Sequence, residues 1–258
     1  MRYHGQGGSG SFPSVERLHE IGPNHPAQIR QATKSPIRYN AKPPPTVLPD
    51  VAMTQPSHVH HFIPGTEAAR APLVLLHGSG GNEHDLVPLV EELVPGSPVL
   101  GVRGTVAIDG GFAFFHRFPD RTIDEPDITA RVPVLADFIH ATMAGHGRTR
   151  TPIAIGFSNG AIMAAALLLT RPSLLAGAIL FRPLSPFRHD LPTRLDGTAI
   201  LIIDGEKDNR RSPGDGLRLA ERLTRAGATV AHHVLPVGHS ITALDRQIAK
   251  EWLREIEG

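Results

Sequence analysis

The sequence predicts an α/β protein: a mostly parallel sheet with helices on both faces. Two observations predict it. Short strand-like runs recur at 58–63, 73–76, 98–102, 153–157, 178–181, 199–203 and 229–235, with helix-like stretches between them. That alternation is what a parallel sheet with crossover helices leaves in a sequence. One of these runs also enters the pentapeptide Gly156-Phe157-Ser158-Asn159-Gly160 and leaves into small residues of helical character. A serine held on such a strand-to-helix turn has its Oγ thrust out over the sheet edge.

The first 52 residues read differently. They hold eight prolines, including Pro43-Pro44-Pro45, and a glycine-rich start at 5–10, with almost no apolar periodicity. This composition predicts a disordered or weakly structured extension, so the chain divides into 1–52 and an α/β domain at 53–258. The extension carries six Lys/Arg against three Asp/Glu, a basic tail too sparse in charge to imply a nucleic-acid partner. It contains nothing like the apolar centre of a secretory signal. A second reading starts translation at Met53.

Within the domain, the run 58–63 places His58 and His60 on one face of an edge strand. The run 73–76 opens into His77-Gly78-Ser79-Gly80-Gly81-Asn82-Glu83, a turn that can present a backbone N–H. Ile128, Val132, Leu135, Ile139 and Met143 mark one buried face of a helix over 127–143, which Pro133 should kink or delay. The last helix follows Ile241, Leu244, Ile248, Trp252 and Ile256. Only the short stretch 182–195 precedes the run 199–203, too little for more than a minimal lid. No run approaches the ~18 apolar residues of a membrane span.

Chemistry gathers where the strands end. Ser158 is a candidate nucleophile, and the backbone N–H groups of Asn159 and Ser79 are candidate oxyanion donors. Past the run 199–203 stand Asp204 and Asp208, rivals for the acid place. Past the run 229–235, His239 follows Gly238 on a loop, whereas His232 and His233 lie inside the strand, one towards each side. His77 is expected to shape the glycine turn. Serine, aspartate and histidine in that order, each just beyond a strand, are the triad order of α/β-hydrolases.

The chain resembles the phospholipase/carboxylesterase branch of that superfamily, nearest its bacterial hydroquinone-resistance-type carboxylesterases. The residues that carry the likeness are His77-Gly78-Ser79-Gly80-Gly81-Asn82-Glu83-His84-Asp85-Leu86, Arg103-Gly104 and Phe114-Phe115-His116-Arg117. The elbow continues it, followed by Phe181-Arg182-Pro183, Gly205-Glu206-Lys207-Asp208 and Gly238-His239-Ser240-Ile241-Thr242. It spans roughly residue 57 to the end. The resemblance implies an α/β-hydrolase fold, a Ser158–His239–Asp208 triad and cleavage of carboxylic esters through an acyl-serine. It favours Asp208 over Asp204, because the aspartate stands three residues beyond Gly205. Acyl-thioesterase or lysophospholipase activity would use the same triad, and a hydrolase-fold binder without turnover is a reading from another class. The expected partner is a small-molecule ester, with no nucleic acid; a homodimer and a cytoplasmic location are further expectations.

No cofactor or metal is expected. The chain has 15 histidines but no cysteine, so a zinc–thiolate site and a thiol nucleophile are excluded, and neither H-E-x-x-H nor H-x-x-E-H occurs. Glu83 stands where a dinucleotide fingerprint wants glycine, and there is no P-loop pattern. For the substrate pocket, the loop 103–121 offers Phe112, Phe114 and Phe115, which either wall an acyl site or pack beneath the loop. Arg103, Arg117 and Arg182 either bind a substrate carboxylate or phosphate or pair with Asp109 and Asp120.

Overall fold

A computed structural model describes residues 58–257 of the chain, apart from 68 and 121. The expectations for residues 1–52 lie outside the described residues. Strand β1 is His60–Ile63, β2 Leu73–Leu76, helix α1 Val87–Leu93 and β3 Val99–Val102. A hairpin of β4 (Val106–Ile108) and β5 (Gly111–Ala113) follows, then α2 (Glu125–Gly145), β6 (Ile153–Phe157) and α3 (Asn159–Thr170). The chain continues through β7 (Gly177–Phe181), β8 (Ala199–Gly205), α4 (Asp215–Arg225), β9 (Thr229–Leu235) and α5 (Ala243–Glu257).

Seven of these strands make one sheet in the order β1-β3-β2-β6-β7-β8-β9. All neighbours are parallel except β1, which runs antiparallel to β3 at the edge. The chain moves outward from β2 to β3, then returns across β2 to lay down β6. The strand order therefore reverses between β2 and β6, and the crevice beyond their carboxyl ends is where an open α/β sheet holds its ligand.

Both faces of the sheet are covered, as the apolar runs require. Val74, Leu76, Ala154, Leu180 and Ile202 face a core shared with α2, α3 and α4, through residues such as Ile128, Leu135, Leu167 and Leu219. Their neighbours Leu73, Leu75, Ile155, Ile179 and Ile203 face a second core shared with α1 and α5, through Val90, Leu93, Ala249 and Trp252. Helix α3 is buried on every side from Asn159 to Leu169, which its small, apolar composition permits.

Two helices differ from expectation. Helix α2 is not delayed by Pro133, because Asp124 caps it and accepts from the Asp127 N–H at 3.0 Å. The carbonyl that Pro133 cannot serve belongs to Thr129, which is exposed and can be hydrated. The predicted stripe of α2 is buried throughout, from Ile128 to Met143. On α5, by contrast, Leu244 and Ile256 are exposed, and the buried face runs through Asp245, Ala249, Trp252 and Leu253. A carboxylate thus sits on the inner face, which no apolar period predicts.

Candidate active site

Strand β6 ends at Phe157, and Ser158 takes φ 51° and ψ −104° before α3 begins. A side chain in that region is strained by about 1–3 kcal/mol, so its neighbours must hold it. The Ser158 N–H donates to the Phe181 carbonyl at 2.9 Å, and its own carbonyl accepts from Ile162 at 3.1 Å. The flanking glycines make room: a Cβ on Gly156 would stand 2.6 Å from the Ala161 Cα, and one on Gly160 2.0 Å from the Leu76 carbonyl oxygen. The pentapeptide is therefore a steric specification for crossing β2 and α3 at close range.

His239 reaches this serine from the loop after β9. Its Nε2 lies 3.0 Å from Ser158 Oγ, and its Nδ1 lies 2.7 Å from Asp208 Oδ2. The carboxylate can only accept, so Nδ1 carries the proton and Nε2 is free to accept from the serine hydroxyl. Burial lowers the imidazole's pKa from its ordinary 6.5, and the guanidinium groups of Arg211 and Arg210 push the same way against the opposing pull of Asp208. For Asp208, burial would raise the carboxyl. The hydrogen bonds from His239 and from the Arg210 N–H outweigh it and hold the group below 3.8.

The turn after β2 completes the enclosure. His77 is buried; its Nδ1 donates to the Gly78 carbonyl at 2.7 Å and its Nε2 accepts from the Gly104 N–H at 2.9 Å. Burial also lowers its pKa, as suits a neutral ring that shapes the turn. Ser79 borders the same cavity as Ser158 and His239. Asn159 begins α3, so its N–H is one of the helix-start donors that no helical carbonyl can satisfy. Its side-chain Oδ1 accepts from the Phe114 N–H at 2.7 Å, tying the segment after β5 to the elbow.

Arg182, just past β7, has φ 53° and is fully buried. All five of its N–H donors are taken. Nε donates to Gly238 O and Nη2 to Ser240 O, both at 3.0 Å, so the guanidinium grips the loop on either side of His239. Nη1 reaches Ile203 O at 3.0 Å, and Asp245 receives the remaining fork bonds at 2.7 and 3.0 Å.

The pattern that defines the phospholipase/carboxylesterase family matches residues 109–256, more than half of the chain. A Bacillus subtilis (strain 168) protein named as a hydrolase, MhqD, is 38% identical over 185 residues, covering 71% of this chain and 92% of that one. The chain belongs to the phospholipase/carboxylesterase family. The crystal structure of the Bacillus cereus carboxylesterase is 35% identical with a TM-score of 0.74, over 80% of this chain and 95% of that one. A carboxylesterase from Mesorhizobium loti is 30% identical with a TM-score of 0.72, over 78% and 97%. The fold is that of the α/β-hydrolases, and the protein is a hydrolase of the carboxylesterase/phospholipase type.

Other residues singled out from the sequence fall elsewhere in this family member. Asp204 pairs with His232 Nε2 at 2.7 Å, while His233 is exposed. His58 and His60 both pack against the Phe138 ring, at 5.1 and 5.2 Å between centroids. Among the described residues no group of three or more His, Asp or Glu could hold a metal ion. The pocket assignments need correction. Phe114 and Phe115 are 2% and 1% exposed and belong to the core beneath the loop. Arg182 is taken by Asp245, and Arg103 forks onto Glu83 with Nη2 2.6 Å from Oε1, so neither uses the predicted Asp109 or Asp120.

Two residues missed by the sequence reading, Arg210 and Arg211, stand beside Ser158. With Ser79, Arg117, Phe157, Ser158 and His239 they line a cavity of about 130 Å³. Arg211 Nη2 donates to Ser158 Oγ at 3.0 Å. Their position two and three residues after Asp208 was the available signal, but arginine on a loop has no period to mark it.

Proposed function

We propose that this chain is a serine carboxylesterase that works through an acyl-enzyme. Ser158 Oγ attacks the ester carbonyl while His239 Nε2 takes its proton; the resulting oxyanion is received by the N–H groups of Ser79 and Asn159. Collapse breaks the ester bond, and His239 returns that proton to the departing alcohol. Water then attacks the acyl-serine, again giving its proton to His239. The second collapse releases the carboxylic acid and re-protonates Oγ. Asp208 keeps the proton on Nδ1 and stabilises the imidazolium. The observation that carries this reading is one unbroken line of hydrogen bonds, from Asp208 through His239 to a serine at positive φ.

Short acyl groups suit the site better than lysophospholipids. The cavity at Ser158 is about 130 Å³, well under the ~300 Å³ at which pockets begin to hold drug-sized molecules. The test is hydrolysis of 4-nitrophenyl acetate by the full chain and by Ser158→Ala. Replacing the nucleophile should lower turnover about 10⁴- to 10⁶-fold with the melting transition retained. A variant that keeps a tenth of the activity would remove Ser158 from the mechanism.

A further inference from the structure

We infer that the cavity beside Ser158 selects esters carrying a carboxylate a few bonds from the scissile carbonyl, such as half-esters of short dicarboxylic acids. The inference rests on the ester-hydrolase reading and names its substrate class.

Three of the seven residues that line the cavity are arginines, and no Asp or Glu faces it. Asp208, the nearest acid, has both oxygens engaged: Oδ2 with His239 and Oδ1 with the Arg210 N–H at 2.9 Å. Elsewhere in the protein arginines meet carboxylates, as Arg103 does Glu83, Arg131 does Asp127 and Arg182 does Asp245. Arg211 does not. Its Nε donates to the Arg182 carbonyl, Nη1 to the Arg210 carbonyl and Nη2 to Ser158 Oγ, at 2.8, 3.0 and 3.0 Å. Among the described residues, no carboxylate forms an ion pair with Arg211 or Arg210.

These neutral acceptors orient the guanidinium of Arg211 without neutralising it. Burial and the nearby Arg117 lower its pKa to about 10 against the longer-range pull of Asp208, Asp215 and Asp204, none of which forms an ion pair with it, and it stays charged at neutral pH. Clustered like charges repel, and a carboxylate that enters relieves the repulsion as it forms charge-assisted, fork-shaped hydrogen bonds. Arg211 already touches Oγ, so an anion it binds must lie close to the carbon that Oγ attacks. Long acyl chains place no charge there. A half-ester of a short dicarboxylic acid does.

The test compares kcat/KM of the full chain for monomethyl succinate and for methyl pentanoate, an uncharged ester of similar length, with 4-nitrophenyl acetate as reference. The charged ester should be preferred by about tenfold or more, and the preference should fall about 10- to 100-fold in Arg211→Gln, as the loss of a charged hydrogen bond implies. Arg210 is exposed, so Arg210→Gln leaves the fold in place and should reduce the same ratio. No preference in a chain that cleaves 4-nitrophenyl acetate overturns the inference and leaves the esterase reading standing. Equal losses for both esters also overturn it, since the arginines would then serve the oxyanion generally. Titration calorimetry of monomethyl succinate into Ser158→Ala reads recognition without turnover. Saturable binding weakened by Arg210→Gln supports the inference even if no ester is cleaved; absence of binding overturns it.

Discussion

Arg182 and Asp245 face each other at 2.7 Å inside the protein, and neither side chain reaches solvent. The pair joins the end of β7 to the first turn of α5, and through the carbonyls of Gly238 and Ser240 it fixes the loop that carries His239. Breaking one partner of a buried pair leaves an uncompensated charge, which costs about 3–5 kcal/mol. Asp245→Asn is therefore expected to lose about that much stability in urea denaturation. A loss below about 1 kcal/mol would mean the charge is solvated in a way the geometry does not indicate.

The same carboxyl gives the pair a pH signature. Burial would raise the Asp245 pKa, but the bonds from Arg182 and Thr242 prevail and hold it below 3.8. A depressed folded value means that the stabilisation is present above the unfolded pKa and is lost as pH falls through the folded one. Wild-type stability should thus decline below about pH 4, and Asp245→Asn should decline less steeply over that window. Parallel acid limbs for the two proteins would show that other carboxyls set the decline.

Asp208→Asn and Asp204→Asn separate two aspartates that stand four residues apart. The first presents an amide to His239 Nδ1 and should cut turnover about 10⁴-fold by favouring the wrong tautomer. The second weakens the contact with His232 at 2.7 Å and should leave turnover within about tenfold, because that contact lies outside the line from Asp208 through His239 to Ser158. The reverse ranking in steady-state kinetics would exchange the two assignments.

What the sequence disclosed, and what it did not, follows from how far apart the interacting residues lie. The five inner strands of the main sheet were legible because each must be apolar on both faces, as at Leu73-Val74-Leu75-Leu76, and the edge strands β1 and β9 were legible from mixed runs such as His60-His61-Phe62-Ile63. The hairpin β4–β5 was not, since its strands are three residues long and meet at Gly110 and Gly111. Ser158, Asp208 and His239 were readable from loop position and local glycines. Arg182 was noticed but misread, because its partner Asp245 is 63 residues away on a helix whose period points elsewhere. Arg211 is 53 residues from Ser158, and only the folded sheet brings them together.

The depressed pKa of His239 predicts an acid limb. The imidazole must be neutral to accept the Ser158 proton, so kcat/KM for an uncharged ester should rise with pH as His239 deprotonates. Burial, Arg211 and Arg210 all disfavour the imidazolium, so the midpoint of that rise should lie below pH 6.5. Arg210→Gln removes one of these charges and should move the midpoint upward. A midpoint above 6.5 in the wild type would mean that Asp208 dominates the balance, and a downward move in the variant would mean that Arg210 does not act on His239 through its charge.

Glycine positions offer a test of the elbow itself that requires no substrate. At Gly160 an added Cβ would meet the Leu76 carbonyl at 2.0 Å, a backbone contact that no rotamer can relieve. Gly160→Ala must therefore push α3 off β2, displacing Ser158 from His239 as well as straining the core. The expected loss is about 1–3 kcal/mol or more, the usual range for overpacking. Gly145 is the comparison: it ends α2, and a Cβ there meets nothing within 4 Å. Gly145→Ala should leave the melt unchanged or raise stability by roughly 0.5–1 kcal/mol through helix propensity. Thermal denaturation of both variants decides the matter. Similar melting points would mean that α3 and β2 have slack at their crossing, and that the close packing at Gly160 does not hold the serine in place.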